Sequence, residues 1–334
     1  MGSEIGMTIM ITGGAGYIGS HTVRYFLDQN EDVVIVDNLQ SGHRKSVDVE
    51  SFYQIDLRDK EALDEVFKTH TIEAVIHFAA NSLVGESMVK PFEYYHNNVY
   101  GMMCLLDVMK NNNVDKIVFS STAATYGEPE NIPILENDKT NPTNTYGETK
   151  LVMEKMMKWF DHAYGTKYVS LRYFNAAGAH ESGTIGEHHD PETHLIPLIL
   201  EVPRGKRDKI DIFGDDYSTE DGTCIRDYIH VMDLASAHYL ALEYLRKDNS
   251  SNTFNLGNGS GYSVKEVIDV ARAVTEHSIP AELKERRAGD PAILIASSDK
   301  AKNLLGWKPQ FNSLEKIIKD AWNWHKNNPA GYTK

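Results

Sequence analysis

The sequence predicts an α/β protein built on a doubly wound parallel sheet, with a second, smaller lobe of mixed α/β structure. Through the first half of the chain, short apolar runs alternate with helix-periodic segments, which is the pattern of parallel strands joined by crossover helices. A glycine-rich turn stands between the first apolar run and the first helix. Finally, 334 residues exceed the size at which a single core usually stops growing. Two lobes are therefore expected, 1–178 and 179–334, with some later segments returning to the first.

Composition narrows the class before any motif is read. The chain carries 34 Lys+Arg against 48 Asp+Glu, a formal charge of -14, and no basic cluster dense enough to follow a phosphate backbone. Nucleic acid is not an expected partner. No apolar run approaches the roughly 20 residues of a membrane helix, and the amino terminus lacks the charged and apolar regions of a signal peptide. No membrane association and a cytoplasmic location are expected. Cys104 and Cys224 are isolated in sequence and read as buried free thiols.

Met1 to Gly6 carry no pattern. Thr8 to Thr12 read as a short buried strand that runs into Gly13-Gly-Ala-Gly16-Tyr-Ile-Gly19 and a helix from Tyr17 to about Leu27. Gly13 permits the tight turn, Gly16 lets the backbone approach a pyrophosphate, and Gly19 lets helix and strand pack closely. A second strand, Asp32 to Val36, ends at Asp37, about 20 residues beyond the glycines, where a carboxylate accepts hydrogen bonds from an adenosine ribose. That carboxylate repels a 2′-phosphate, so NAD is expected over NADP. Strand, glycines, helix, strand and acid in this order define a Rossmann-type sheet.

The alternation continues through the strand Ser51 to Ile55 with Asp56, the helix Lys60 to Thr69 and the strand Ala74 to His77. The small-residue turn His77-Phe78-Ala79-Ala80 ends that strand at the edge where a cofactor lies, and His77 reads as a packed strand-end residue. A long helix follows from Pro91 to about Asn113, with Val99, Met102, Met103, Leu105, Leu106 and Met109 as its apolar face. Lys116 to Ser120 form the next strand, and the hydroxyl-rich turn Ser121 to Gly127 leaves its carboxyl end. One crossover later, Asn144-Thr-Tyr146-Gly-Glu-Thr-Lys150 opens a helix that places a phenol and an ammonium at i and i+4. A nearby ammonium favours phenolate over phenol, so Lys150 is expected to lower the pKa of Tyr146 and make it an acid/base.

Beyond Asn175 the pattern loosens, and the Gly/His-rich segment from Gly178 to His194 reads as the crossing into the second lobe. His188-His189-Asp190 is not read as a metal site, because no third ligand stands at useful spacing. No metal is expected. Thr253 to Gly257 form a strand ending in a glycine turn, and Ser263-Val-Lys-Glu266 is a capping box. A last helix from Ser313 to about Lys326 buries Leu314, Ile317, Ile318, Ala321 and Trp322.

Several of these stretches together resemble the extended short-chain dehydrogenase/reductase family, in the branch that epimerises UDP-hexoses at C4. Beyond the glycines, the similar stretches are His77-Phe-Ala, Val84-Gly-Glu-Ser87, Tyr94-Tyr95 with Asn97-Asn98, Ser120-Ser121, Tyr126-Gly127, Tyr146-Gly147 with Lys150, Leu171 to Asn175, Gly178-Ala-His180, Ile212 to Gly214, Thr219 to Gly222, Arg226 to Leu234 and Gly331-Tyr332. The resemblance implies an isomerase that interconverts UDP-galactose and UDP-glucose through a 4-keto intermediate, on tightly held NAD, and that pairs as a homodimer through the helices 91–112 and 146–162. It implies that Tyr146, Lys150 and Thr122 are catalytic. It assigns the cofactor to Gly13, Gly16, Tyr17, Ile18, Gly19, Asp37, Asn38, Asp56, Leu57, Phe78, Ala79, Asn97, Ser120, Tyr146, Lys150, Tyr173 and Phe174. It assigns the UDP-sugar to Thr122, Tyr146, Asn175, His194, Leu195, Phe213, Arg226, Arg287, Asp290 and Leu294.

Ala123 and Ala124 argue against the sister 4,6-dehydratases, whose elimination needs an Asp-Glu pair there to move extra protons. Ser82 stands where some members have Lys, and His194 where many have Asn. Leu294 aligns with the residue that gates the sugar pocket, and its intermediate size leaves an N-acetylhexosamine epimerase as an alternative. A non-catalytic NAD-binding module and a net dehydrogenase are the readings from other classes.

Overall fold

The computed structural model of the chain describes residues 7–287 and 290–333, so the patternless Met1 to Gly6 lie outside the described residues. The first part forms β1 (Thr8–Thr12), α1 (Tyr17–Asp28), β2 (Asp32–Val36), β3 (Phe52–Tyr53), α2 (Lys60–Thr69), β4 (Ile72–His77), α3 (Val84–Ser87), α4 (Pro91–Tyr94), α5 (Gly101–Asn111), β5 (Lys116–Ser120), α6 (Thr145–Tyr164) and β6 (Lys167–Arg172). There follow β7 (Asn175–Ala177), α7 (Leu195–Glu201), β8 (Ile210–Phe213), β9 (Ile225–Arg226), β10 (Tyr228–His230), α8 (Val231–Asp248) and β11 (Asn252–Asn255). The chain ends with β12 (Tyr262–Ser263), α9 (Val264–Thr275), β13 (Ala281–Lys284), β14 (Ile293–Leu294), α10 (Asp299–Leu304) and α11 (Leu314–Asn327).

Seven strands make one sheet in the order β3-β2-β1-β4-β5-β6-β11. Every neighbouring pair is parallel. Helices cover both faces, which is why the strands read as continuous apolar runs rather than as alternating ones. The strand period of two still sorts the side chains. Ile9, Ile11, Val33 and Ile35 join a core that includes Val23, Phe26 and the α8 residues Leu234 and Leu242. Met10, Val34 and Val36 join the opposite core with Leu63, Leu105, Leu106 and Met153. The order reverses between β1 and β4, the place where such sheets bind ligands.

The second layer of the molecule is built from short pieces: the pair β10-β7, the triplet β12-β9-β14 and the pair β13-β8. Its core gathers Ile196, Ile199, Leu200, Val267, Ile268, Ile317 and Ile318 from α7, α9 and α11. The capping box is formed, with Ser263 Oγ accepting from the Glu266 amide and the Glu266 carboxylate accepting from the Ser263 amide. Both cysteines are buried and free. No helix among the described residues is long and apolar enough to cross a membrane.

Three local expectations are corrected. The helix expected from Pro91 to Asn113 is interrupted by a π-helical turn over Tyr95–Tyr100. The wider turn re-phases the helix so that Asn98 faces inward, where its amide accepts from Asn81 N at 2.8 Å and donates to Thr149 Oγ1 at 3.1 Å. Re-phasing also leaves Met103, expected in the core, 51% exposed. The third strand shrinks from Ser51–Ile55 to Phe52–Tyr53 because it pairs with β2 alone at the sheet edge. In the last helix Trp324 is the fully buried indole, whereas Trp322 is only partly covered.

The fold holds four histidines neutral. Burial lowers His21 and His77 to about 3, and His238 and His325 to about 4. At His21 burial prevails over the bond to Tyr17, its Nδ1–H donating to Tyr17 O at 2.7 Å, while Nε2 accepts from His180 N at 3.1 Å. Each ring binds a proton in the unfolded chain below about 6.5 and stays neutral in the fold, so stability falls as pH drops from 6.5 towards 3–4. Urea titrations across that window are expected to show this acid loss, each histidine adding a slope of about 1.4 kcal/mol per pH unit. His77→Gln should flatten the slope by one proton, and an unchanged slope in that variant would remove His77 from the account.

Candidate active site

The carboxyl edge of the sheet opens onto a cleft of about 720 Å³ lined by the glycine turn, the ends of β2, β4 and β5, the start of α6, and the segment before α7. Gly13 turns the chain at φ +71°, and a Cβ there would stand 2.6 Å from the Ala79 amide nitrogen. A Cβ on Gly19 would stand 2.1 Å from Gly13 O, so α1 reaches this close to the turn only with glycine. α1 begins at Gly16 with no side-chain cap and no acid in its first turn, so its amides face the cleft without an internal partner. Asp37 is buried and ties the turn together, accepting from Ala15 N at 2.9 Å and Leu39 N at 2.8 Å. Burial raises its pKa while those amides oppose the rise. Bare glycine backbone, a free helix terminus and a carboxylate at the end of β2 fit the phosphates and ribose of a dinucleotide.

Tyr146 and Lys150 enter the same cleft from the first turns of α6. Asn144 starts that helix, its side chain accepting from Gly147 N at 2.8 Å. Thr122 follows β5 and caps the short 3₁₀ turn Ala123–Tyr126 by accepting from Ala124 N at 3.1 Å, which leaves its own proton to donate. Its hydroxyl stands beside Tyr146 in the lining of the cleft and favours the phenolate there. Lys150 is 3% exposed, donates to Ser120 O at 2.7 Å and lies 5.9 Å from the Tyr146 ring centroid.

Here the sequence-based expectation is corrected. Lys150 was expected to lower the Tyr146 pKa, but burial dominates both groups. The phenol is pushed up to about 12, with the neighbouring Thr122 hydroxyl opposing, and the ammonium is lowered to about 7. An i, i+4 spacing places two groups on one helix face, but it does not count the apolar walls around them.

All of the residues expected at the cofactor line this one cleft, from Gly13 to Phe174. Asn38 donates to the Asp56 carboxylate at 3.2 Å, and Arg58 holds that carboxyl below the usual range. Tyr173 and Ser120 share a hydrogen bond of 2.5 Å. Of the residues expected at the sugar nucleotide, Thr122, Tyr146, Asn175, His194, Arg287, Asp290 and Leu294 line the cleft. Leu195, Phe213 and Arg226 are outside that lining. Arg226 reaches it through an ion pair with Asp290, and Phe213 through the Arg287 guanidinium 4.1 Å above its ring.

Sequence reading missed Asn81, Ser121 and His189, which also line the cleft. It missed as well that Glu187, His189, Glu192 and His194 bring four donor atoms within 4.8 Å of one another. Burial raises Glu187, but His194 and His189 outweigh it and hold the carboxyl at about 2. Burial lowers His189, but Glu187 and Glu192 outweigh it and raise the imidazole to about 10. Spacing alone signalled only His188 and His189; the carboxylates join because the chain doubles back before α7.

A parallel sheet with a bare-backbone turn at its switch point, and a partly buried tyrosine in the same cleft, defines an enzyme that works through a bound nicotinamide dinucleotide. More narrowly, the chain belongs to the NAD dependent epimerase/dehydratase family, whose profile matches residues 9–257. It is 63% identical over 327 residues to the UDP-glucose 4-epimerase of Halalkalibacterium halodurans, covering 98% of each chain. A crystal structure of a UDP-glucose 4-epimerase superposes with a TM-score of 0.96 at 59% identity, covering 98% of this chain and 100% of that one. The UDP-glucose 4-epimerase from Brucella ovis in complex with NAD superposes with a TM-score of 0.93 at 43% identity, covering 98% and 99%.

Proposed function

We propose that Tyr146, Thr122 and Lys150 carry the interconversion of UDP-galactose and UDP-glucose in this cleft. The activity is UDP-glucose 4-epimerisation, an isomerisation, and its cofactor is NAD. The observation that supports these three residues is that Thr122, Tyr146 and Lys150 together line the cleft into which the glycine turn also opens. When bound, NAD supplies a reversible hydride acceptor and a cationic ring that favours phenolate. Tyr146 Oη takes the proton of the sugar C4 hydroxyl and returns it after the 4-keto sugar has turned over. Thr122 Oγ1 holds the reacting oxygen by hydrogen bond, and Lys150 holds the nicotinamide ribose. Ala123 and Ala124 line the cleft beside Thr122 and cannot move the protons that dehydration requires.

In this reading the cofactor-binding roles belong to the residues from Gly13 to Phe174 named above. The UDP-sugar is held by Asn175, His194, Leu195, Phe213, Arg226, Arg287, Asp290 and Leu294, the two arginines serving the diphosphate. The lobe boundary falls near Gly178, with α8 and β11 returning to the sheet. Phe92, Met103, Trp159 and Tyr164 expose apolar side chains along α4, α5 and α6, a surface suited to a second copy in a cytoplasmic homodimer.

Purified protein is expected to convert UDP-galactose to UDP-glucose with no NAD added and no free NADH released. UDP-N-acetylglucosamine, run beside it, sizes the pocket around Leu294. An absence of conversion even with NAD supplied would refute the assignment.

A further inference from the structure

The segment between β7 and α7 gathers two histidines and two glutamates outside the reacting triad. Glu187 is buried, His189 and Glu192 are partly covered, and His194 is open at the cleft mouth. His194 Nδ1 contacts Glu187 Oε1, and His189 Nδ1 stands 3.3 Å from the same oxygen. The Glu192 carboxylate lies 3.6 Å from His189 Nδ1 and 3.9 Å from His194 Nδ1. Ligands held at about 2.0–2.1 Å around a tetrahedral Zn²⁺ are themselves roughly 3.3 Å apart. The four donor atoms lie within 4.8 Å of one another, so side-chain shifts of about an ångström bring them to the corners of such a tetrahedron.

We propose that Glu187, His189, Glu192 and His194 bind one divalent transition-metal ion of the Zn²⁺ class. Two imidazoles and two carboxylates are a borderline donor set that suits such an ion better than Mg²⁺ or Ca²⁺, which take oxygen ligands throughout. The charges balance, since two carboxylates neutralise a dication. Both imidazoles use Nδ1 towards the cluster, so Nε2 of His194 stays available to a sugar nucleotide.

The frame around the donors is fixed. Trp324 Nε1 donates to Glu187 O at 3.0 Å, anchoring the segment to α11. The His189 ring meets Tyr17 of the glycine turn edge-on, with centroids 6.2 Å apart. His188 takes no part: its ring stacks on His43 and its Nδ1 accepts from Tyr332 N. An ion at this cluster clamps the chain that leads into α7 against the mouth of the cleft, where both His189 and His194 form the wall.

Tag-free, full-length protein treated with chelator and dialysed is titrated with Co²⁺ under visible spectroscopy, then with Zn²⁺. One Co²⁺ per chain is expected, with the intense visible bands of a four-coordinate site, bleached by one equivalent of Zn²⁺. His189→Gln and Glu192→Gln are each expected to weaken binding at least about 10-fold. His277→Ala, at an exposed histidine outside the cluster, serves as the control and should leave the titration unchanged. Should neither cluster variant fold, competition in the wild-type chain decides, with one equivalent of Zn²⁺ expected to remove the cobalt bands and excess Mg²⁺ to leave them. Absent visible bands at stoichiometric Co²⁺, bands that persist in both cluster variants, or bands that Mg²⁺ removes as readily as Zn²⁺ would each overturn the site.

Discussion

Replacing Tyr146 by Phe is expected to lower kcat by about 10²–10⁴-fold, the span that a positioned acid/base supplies. The substitution keeps the aromatic packing and removes one oxygen, the one beside Thr122 in the cleft. The glycine turn and Asp37 are untouched, so NAD should remain bound. Burial pushes the phenol up to about 12 in the chain alone, the cationic ring of bound NAD would favour its phenolate, and the Phe variant lacks the oxygen that takes the C4 hydroxyl proton. The loss should therefore fall on kcat rather than on KM. Steady-state kinetics with UDP-galactose check it, and a kcat within about threefold of wild type would exclude Tyr146 from the proton transfer.

The second large effect lies beneath the site. Glu154, one turn beyond Lys150 on α6, accepts from Arg172 Nε at 2.9 Å and from Ser121 Oγ at 2.5 Å. Arg172 also donates to Tyr126 Oη at 2.9 Å, and Tyr126 donates to Asn255 Oδ1 at 2.7 Å. The charged side chains are only 7% and 8% exposed. This network joins α6, the turn carrying Thr122, β6 and β11. Glu154→Ala strands a buried guanidinium and is expected to cost about 3–5 kcal/mol in unfolding free energy. Replacing both partners, Glu154→Leu with Arg172→Met, should recover most of the loss, because an apolar pair leaves no charge uncompensated. Urea unfolding of the three variants decides; a double variant as unstable as Glu154→Ala would show that the network is needed for more than charge balance.

The main sheet was legible because its rules are local. β1, β2 and β5 span the residues that their apolar runs predict, and Gly13 and Gly19 of the first turn stand where a Cβ would meet backbone. The π turn at Tyr95–Tyr100 was not legible, since its cause is Asn98 seeking Asn81 and Thr149, partners far away in sequence. The Tyr146 and Lys150 shifts were hidden for a related reason: burial is a property of the assembled walls, and only the spacing is written in the helix. The four-donor cluster was half legible. Two adjacent histidines drew attention, yet one of them turns away and the carboxylates come from either side.

The path of α8 and β11 bears on how this chain can be divided. α8 packs beside α1 beneath the sheet, and β11 extends the sheet next to β6, although both follow the first pieces of the second lobe in sequence. Each lobe thus closes only when the other has been synthesised. A gene fragment ending near residue 178 would encode a sheet missing its outer strand and the helix that covers β5 and β6. Shuffling of whole halves between relatives is therefore disfavoured, and specificity can drift more readily through the short strands and turns that rim the cleft, which change without disturbing the interlocked frame.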